Sequence, residues 1–180
     1  MRPRRSTWQH PAAPKPPYAR EPFKGVILSD LTYRRATATD LPALVAMLAD
    51  DMLGQARERP EDPLPDAYRA GFAAIDEDPR QLLLVVERAG AIAGMLQLTF
   101  IPGISHMGAW RCQIEGVRVA STARGAGIGE AMLRHAIGVA REHGCRIVQL
   151  TTNKARADAK RFYERLGFEP AHEGMKLTLG

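Results

Sequence analysis

The chain has 180 residues, 45% of them hydrophobic, and a formal net charge of +5. That length accommodates one well-buried domain, and no run approaches the ~18 apolar residues of a membrane span. Residues 1–24 carry six basic groups and one acid, which leaves 19 basic and 19 acidic residues elsewhere, so the remainder is formally neutral and a large nucleic-acid footprint is not indicated.

Residues 1–30 are rich in proline and basic side chains and repeat with neither helical nor strand period. They are expected to form a disordered extension without the apolar core of a secretory signal. The domain is expected over 31–180. Leu31 to Ala36 reads as a strand. Thr37-x-x-Asp40 is a capping box, and Leu41, Leu44, Val45 and Leu48 then recur at helical spacing. Gly54, Pro60, Pro63 and Pro65 mark a loop over 52–65, and a second helix is expected over 66–78 with Tyr68, Phe72 and Ile75 on one face.

Gln81 to Arg88 and Ile92 to Ile101 read as strands joined by an Ala89-Gly90 turn. Residues 102–108 break the pattern, and Trp110 to Val119 is a third long strand. A helix over 127–143 buries Ile128, Met132, Leu133, Ala136, Ile137 and Ala140, with Gly144 as its terminating glycine. Arg146 to Thr152 is a short strand, Asp158 to Leu166 a helix, and two closing strands are expected at 168–173 and 176–179. The order is βααβββαβαββ, an α+β fold with a mostly antiparallel sheet. The strand–loop–helix–strand unit over 110–152 makes one central parallel pair.

The two cysteines, Cys112 and Cys145, sit in apolar strand-like contexts. They form no disulfide framework, which suits a reducing cytoplasm. No Cys/His set has zinc spacing, so no metal is expected.

The richest stretch is Val117 to Gly129, VRVASTARGAGIG, running into a helix. The first amides of a helix lack intrahelical partners and carry partial positive charge, and glycines let a phosphate approach them. The stretch lacks the Gly-Lys-Ser/Thr end of a Walker loop and the G-x-G-x-x-G spacing of a dinucleotide fingerprint. Its pattern is R-x-x-G-x-G, with Arg124, Gly127 and Gly129 on it.

With that loop, the opening YRRATATDLPAL and the closing DAKRFYERLGFEP, the chain resembles the GNAT N-acetyltransferases from Leu31 to its C-terminus. The segment N-x-x-R-x-D-A-x-R-F-Y is similar to that of the aminoalkylphosphonate acetyltransferase branch. The resemblance implies the GNAT fold, acetyl-CoA as donor and a small-molecule amine as acceptor, with no nucleic-acid or membrane partner; a homodimer is left open. Protein lysine or N-terminal acetylation, and an acyl-CoA-binding regulatory module without turnover, are the alternatives.

Acetyl transfer needs a neutral amine, a donor for the oxyanion and a proton for the thiolate. The resemblance assigns the proton to Tyr163, at the family's Tyr position. Glu115 is the candidate base. Strand periodicity places it on one face with Val117 and Val119, whose backbone groups would pair with the pantetheine arm and the thioester oxygen. Arg124 and the amides of Gly125, Ala126, Gly127, Ile128, Gly129 and Glu130 would hold the pyrophosphate. The family's Asn position, seven residues before the Tyr, is Arg156 here. The nearest Asn, Asn153, would serve the cofactor from the strand end. Lys160 and Arg161 read better as a solvated face than as phosphate ligands. His106 and His172 end acceptor-side loops, and either is an alternative base. Glu58, Glu61 and Asp62 would attract a cationic acceptor, while Arg57, Arg59 and His106 would attract an acidic one; the sequence does not rank the two.

Overall fold

The computed structural model describes residues 30–50 and 54–179. The expectation of a disordered extension therefore lies outside the described residues except for Asp30. Five strands form one sheet in sequence order: β1 (Leu31–Arg35), β2 (Gln81–Arg88), β3 (Ala91–Ile101), β4 (Trp110–Val119) and β5 (Cys145–Leu150). Neighbours are antiparallel except β4 and β5, which are parallel. The helices are α1 (Leu41–Ala49), α2 (Asp66–Glu77), the short α3 (Ser105–Gly108), α4 (Ile128–Glu142) and α5 (Ala157–Arg165).

The capping box forms as expected. The Thr37 amide donates to the Asp40 carboxylate at 2.7 Å, and a turn of 3-10 helix over Ala38–Asp40 leads into α1. Ala89 and Gly90 both take positive φ, 51° and 77°. This is the two-residue turn whose twist matches a right-handed hairpin, and it joins β2 to β3.

β2 is covered on both sides, so Leu83, Leu84, Val85 and Val86 are all buried. Its unbroken apolar run has that cause. On one side Leu84, Val86, Leu96, Leu98, Cys112 and Ile114 meet Met132, Leu133, Ala136 and Ala140 of α4. On the other, Leu83, Val85 and Met95 meet Leu44 and Met47 of α1, and α2 leans on α1 through Tyr68 and Phe72. No described helix is long and apolar enough to cross a membrane.

The two closing strands do not form: residues 168–179 join no sheet. Pro170 has no N–H for a ladder, and the Ala171 amide turns back to the Glu169 carbonyl at 2.8 Å. The alternation of Met175, Leu177 and Leu179 finds no neighbour to bury against, and all three stand at least 85% exposed.

Candidate functional site: a parted strand pair and a glycine loop

β4 outlasts β5. Their register runs from Trp110 opposite Cys145 to Ile114 opposite Leu150 and stops there, while β4 continues through Val119. Residues 115–119 thus have no β5 partner. After Leu150 the chain turns away: Asn153 Oδ1 accepts the Ala155 amide at 2.9 Å, and the Asn153 carbonyl accepts the Arg156 amide at 2.9 Å. One edge of β4 is left open beside the start of α5.

The same segment carries a bulge. On β3, Gln97 faces Glu115 but Met95 faces Arg118, so β4 holds one residue more. Gly116 takes φ 59° there, a left-handed value that glycine adopts without a Cβ clash. This overturns the shared face expected for Glu115, Val117 and Val119. Glu115 lies on the α1–α2 side with Gln97. Val117 and Val119 pack against the α4 core. Strict period-two alternation fails because the extra residue inverts parity. An isolated glycine in a strand pattern was the available signal.

The glycine loop follows. Gly125 and Gly127 take φ 80° and 78°, and Gly127 is the N-cap of α4, with no side chain capping the helix start. The amides of Ile128, Gly129 and Glu130 are thereby left to an external acceptor. Ile128 is 1% exposed and roots the helix in the core; Ala126 also packs on it. Glu130 turns its carboxylate to Arg134 at 2.7 Å, which removes its charge from the loop. Gly129 faces inward: a Cβ there would stand 3.5 Å from both Phe162 and Val119, in ordinary contact with α5 and β4. Arg124 reaches Asp50 at 2.9 Å and the Val119 carbonyl at 3.3 Å. Its guanidinium is held across the loop toward the end of α1, a partner the sequence pattern did not show.

Tyr163 lies on α5, half-buried against the same core. Phe162 and Phe168 meet its ring at centroid distances of 5.4 and 5.9 Å. Burial raises its pKa above the usual phenol value, and the positive fields of Arg156 and Arg118 oppose this more weakly. The phenol therefore keeps its proton at neutral pH. Arg118 enters through the bulge and bonds the Val117 carbonyl at 2.8 Å; neither it nor Arg156 was singled out for this field from sequence.

Asn153 lies in the turn after β5, beside the open edge, and spends its carbonyl oxygen on its own turn. The other candidates fall elsewhere. Lys160 and Arg161 pair with Glu164 and Asp158 on the exposed side of α5. His172 is exposed in the terminal segment. His106 is exposed at the opposite end of β4, with φ 53°. In the α1–α2 loop, Arg57 pairs with Glu58 at 2.9 Å, and the Tyr68 hydroxyl donates to the same carboxylate. Glu61, Asp62 and Arg59 are exposed. Among the described residues no group of three or more potential ligands gathers for a metal.

Three comparisons bear on this arrangement. The sequence model of the Acetyltransferase (GNAT) family matches residues 43–168. Aminoalkylphosphonate N-acetyltransferase of Salmonella typhimurium is 31% identical over 77% of this chain and 85% of its own length. Glucosamine 6-phosphate N-acetyltransferase of Trypanosoma brucei brucei is 30% identical over 72% of this chain and 86% of its own. Among solved structures, a protein of Bacillus halodurans C-125 described as a transcriptional regulator superposes with a TM-score of 0.81 at 50% identity, covering 83% of this chain and 99% of that one.

Proposed function

This chain belongs to the GNAT acetyltransferase family, and on that premise we propose that it moves the acetyl group of acetyl-CoA to a primary amine of a small molecule by direct attack. The observation that carries the reading is the open edge of β4 from Glu115 to Val119, leading straight into an uncapped helix start. The backbone of Val117 and Val119 offers hydrogen bonds to an extended amide-containing arm. Gly125, Gly127 and the first amides of α4 suit the pyrophosphate. Arg124 adds a cation at the rim, exchanging Asp50 for phosphate.

In this reading Glu115 draws one proton from the ammonium, and water relays it. The neutral nitrogen attacks the thioester carbon, a C–N bond forms, and an N–H of β4 meets the oxyanion. The C–S bond breaks, nitrogen releases its second proton to solvent, and the thiolate takes a proton from Tyr163. A thiol near pH 8.5 and a phenol near 10 make that transfer modestly uphill in water.

Relatives named for aminoalkylphosphonate and glucosamine 6-phosphate acetylation support a small-molecule acceptor. The test is CoA thiol release from acetyl-CoA with a panel of small amines, lysine peptides and free peptide N-termini. Turnover with small amines is expected. Release only with peptides would move the acceptor to protein, and binding of acetyl-CoA without release with any amine would leave a regulatory module.

A further inference from the structure

The α1–α2 side of β4 before the bulge carries Arg111, Gln113 and Glu115, opposite Ile101, Thr99 and Gln97 of β3. β5 continues that face with Ile147 opposite Arg111 and Gln149 opposite Gln113. Ile147 and Gln149 are exposed, so this part of the face lies open. Its middle is amide: Gln149 donates to Gln113 at 2.8 Å, and Gln97 donates to the Gln81 amide oxygen at 3.0 Å.

Arg111 closes the face at the far end from the glycine loop. It is half-buried, and its Nε is hidden from solvent with no hydrogen-bond partner among the described residues. A buried guanidinium nitrogen without an acceptor is costly. No described carboxylate makes an ion pair with it. Arg80, just before β2, is paired with Asp78 at 3.1 Å, so that carboxylate's charge is already matched. Arg146 brings a second guanidinium to this end, donating to the His106 carbonyl at 3.4 Å. The α1–α2 loop offers no stronger claim, because Arg57 and Glu58 cancel each other.

We propose that Arg111 anchors an acidic group of the acceptor. The preferred substrate then carries its amine toward Glu115 and a carboxylate, phosphate or phosphonate toward Arg111, with the uncharged Gln113 and Gln149 between them. The inference rests on the acetyltransferase reading above and names the acceptor class within it. At ~3.4 Å per residue the Cα atoms of Arg111 and Glu115 stand about 14 Å apart. The Arg111 guanidinium lies beside Gly103 in the loop after β3, so an acceptor that reaches both groups spans on the order of this distance. A guanidinium bound to a carboxylate or phosphoryl oxygen makes charge-assisted bonds that fix orientation as well as affinity. Arg111 is thus a positioning and specificity residue, away from the reacting atoms.

The experiment compares chain-length series of ω-amino carboxylates, aminoalkylphosphonates and neutral amines of matched size, in wild type, Arg111→Gln and Arg111→Lys. Acid-bearing amines should exceed the neutral ones at least about tenfold in kcat/KM. Arg111→Gln should raise their KM by about ten- to a hundredfold with little change in kcat, and Arg111→Lys should restore part of the loss. Propylphosphonate, which has no amine, should compete with the acceptor in wild type but not in Arg111→Gln. An unchanged acetyl-CoA affinity by calorimetry certifies that each variant is folded. Turnover that favours neutral amines, or an acid preference that survives Arg111→Gln, overturns the anchor and leaves the acetyltransferase standing. No release with any amine overturns both. The carboxylate and phosphonate arms separate the two acid classes.

Discussion

β2 is buried on both faces from Leu83 to Val86 and is paired along both edges. β4 past Ile114 has an antiparallel partner on one edge only, bulges at Gly116 and presents Glu115 to solvent. The two strands sit two places apart in one sheet. In the β1–β3 half polar groups are closed off locally: Arg34 bridges Asp40 at 2.7 Å and Glu87 at 2.7 Å, tying β1, the turn before α1 and β2 together. In the β4–β5 half they are left for something else: the open strand edge, the uncapped start of α4, and Arg111. The comparison teaches where this fold stores stability and where it leaves binding capacity, because an unpaired backbone group costs free energy that only a ligand or water returns.

The sharpest break in that contrast is Tyr163→Phe, which keeps the ring against Phe162 and Phe168 and removes the proton. Turnover is expected to fall by roughly 10² to 10⁴, the range of general acid catalysis, with acetyl-CoA affinity nearly unchanged by calorimetry. Because burial raises the Tyr163 pKa above the ordinary phenol value of about 10, wild-type activity should show no alkaline loss from this group below that pH. A Tyr163→Phe enzyme with normal turnover returns Tyr163 to the core.

Asp40→Asn tests the closed half. The Arg34 guanidinium, aided against burial by the Thr37 amide and hydroxyl, holds the Asp40 carboxyl at about 2 against 3.8. A depressed carboxylate stabilises the fold above its unfolded pKa, and that contribution is lost as pH falls through about 2. The substitution should cost about 2 kcal/mol near neutral pH and flatten the acid side of the stability profile, measured by thermal melts across pH. Acetyl-CoA affinity at a temperature where the variant is folded should not move; a large loss of affinity would show that the two halves are not separable.

Glu115→Gln is the smallest and most diagnostic change. Activity at neutral pH should drop about tenfold, ~1.4 kcal/mol in the barrier, and recover at high pH where the amine is already free. A pH–rate profile identical to wild type moves the base to water or to a histidine.

Much of the fold was legible because it rests on local patterns. The capping box at Thr37, the apolar run of β2, the Ala89-Gly90 turn and the helical stripe of α4 each state their structure within a few residues. The glycine loop was legible for the same reason, since positive φ at Gly125 and Gly127 is a local backbone demand. The closing strands were misread because Met175, Leu177 and Leu179 alternate correctly, yet alternation says nothing about whether a neighbouring strand is there to pair.

By itself, then, the sequence determined the elements from β1 to α5 apart from the short α3, the parallel β4–β5 unit, the family resemblance and the candidate loop. Tertiary structure decided which side chains share a face and which charges are already used. One extra residue at Gly116 moved Val117 and Val119 away from Glu115. Asp50 took Arg124, Glu58 took Arg57, and Arg111 was left on an open amide face. Register and pairing depend on residues far apart in the chain, and side-chain periodicity cannot report them once a bulge has shifted the count.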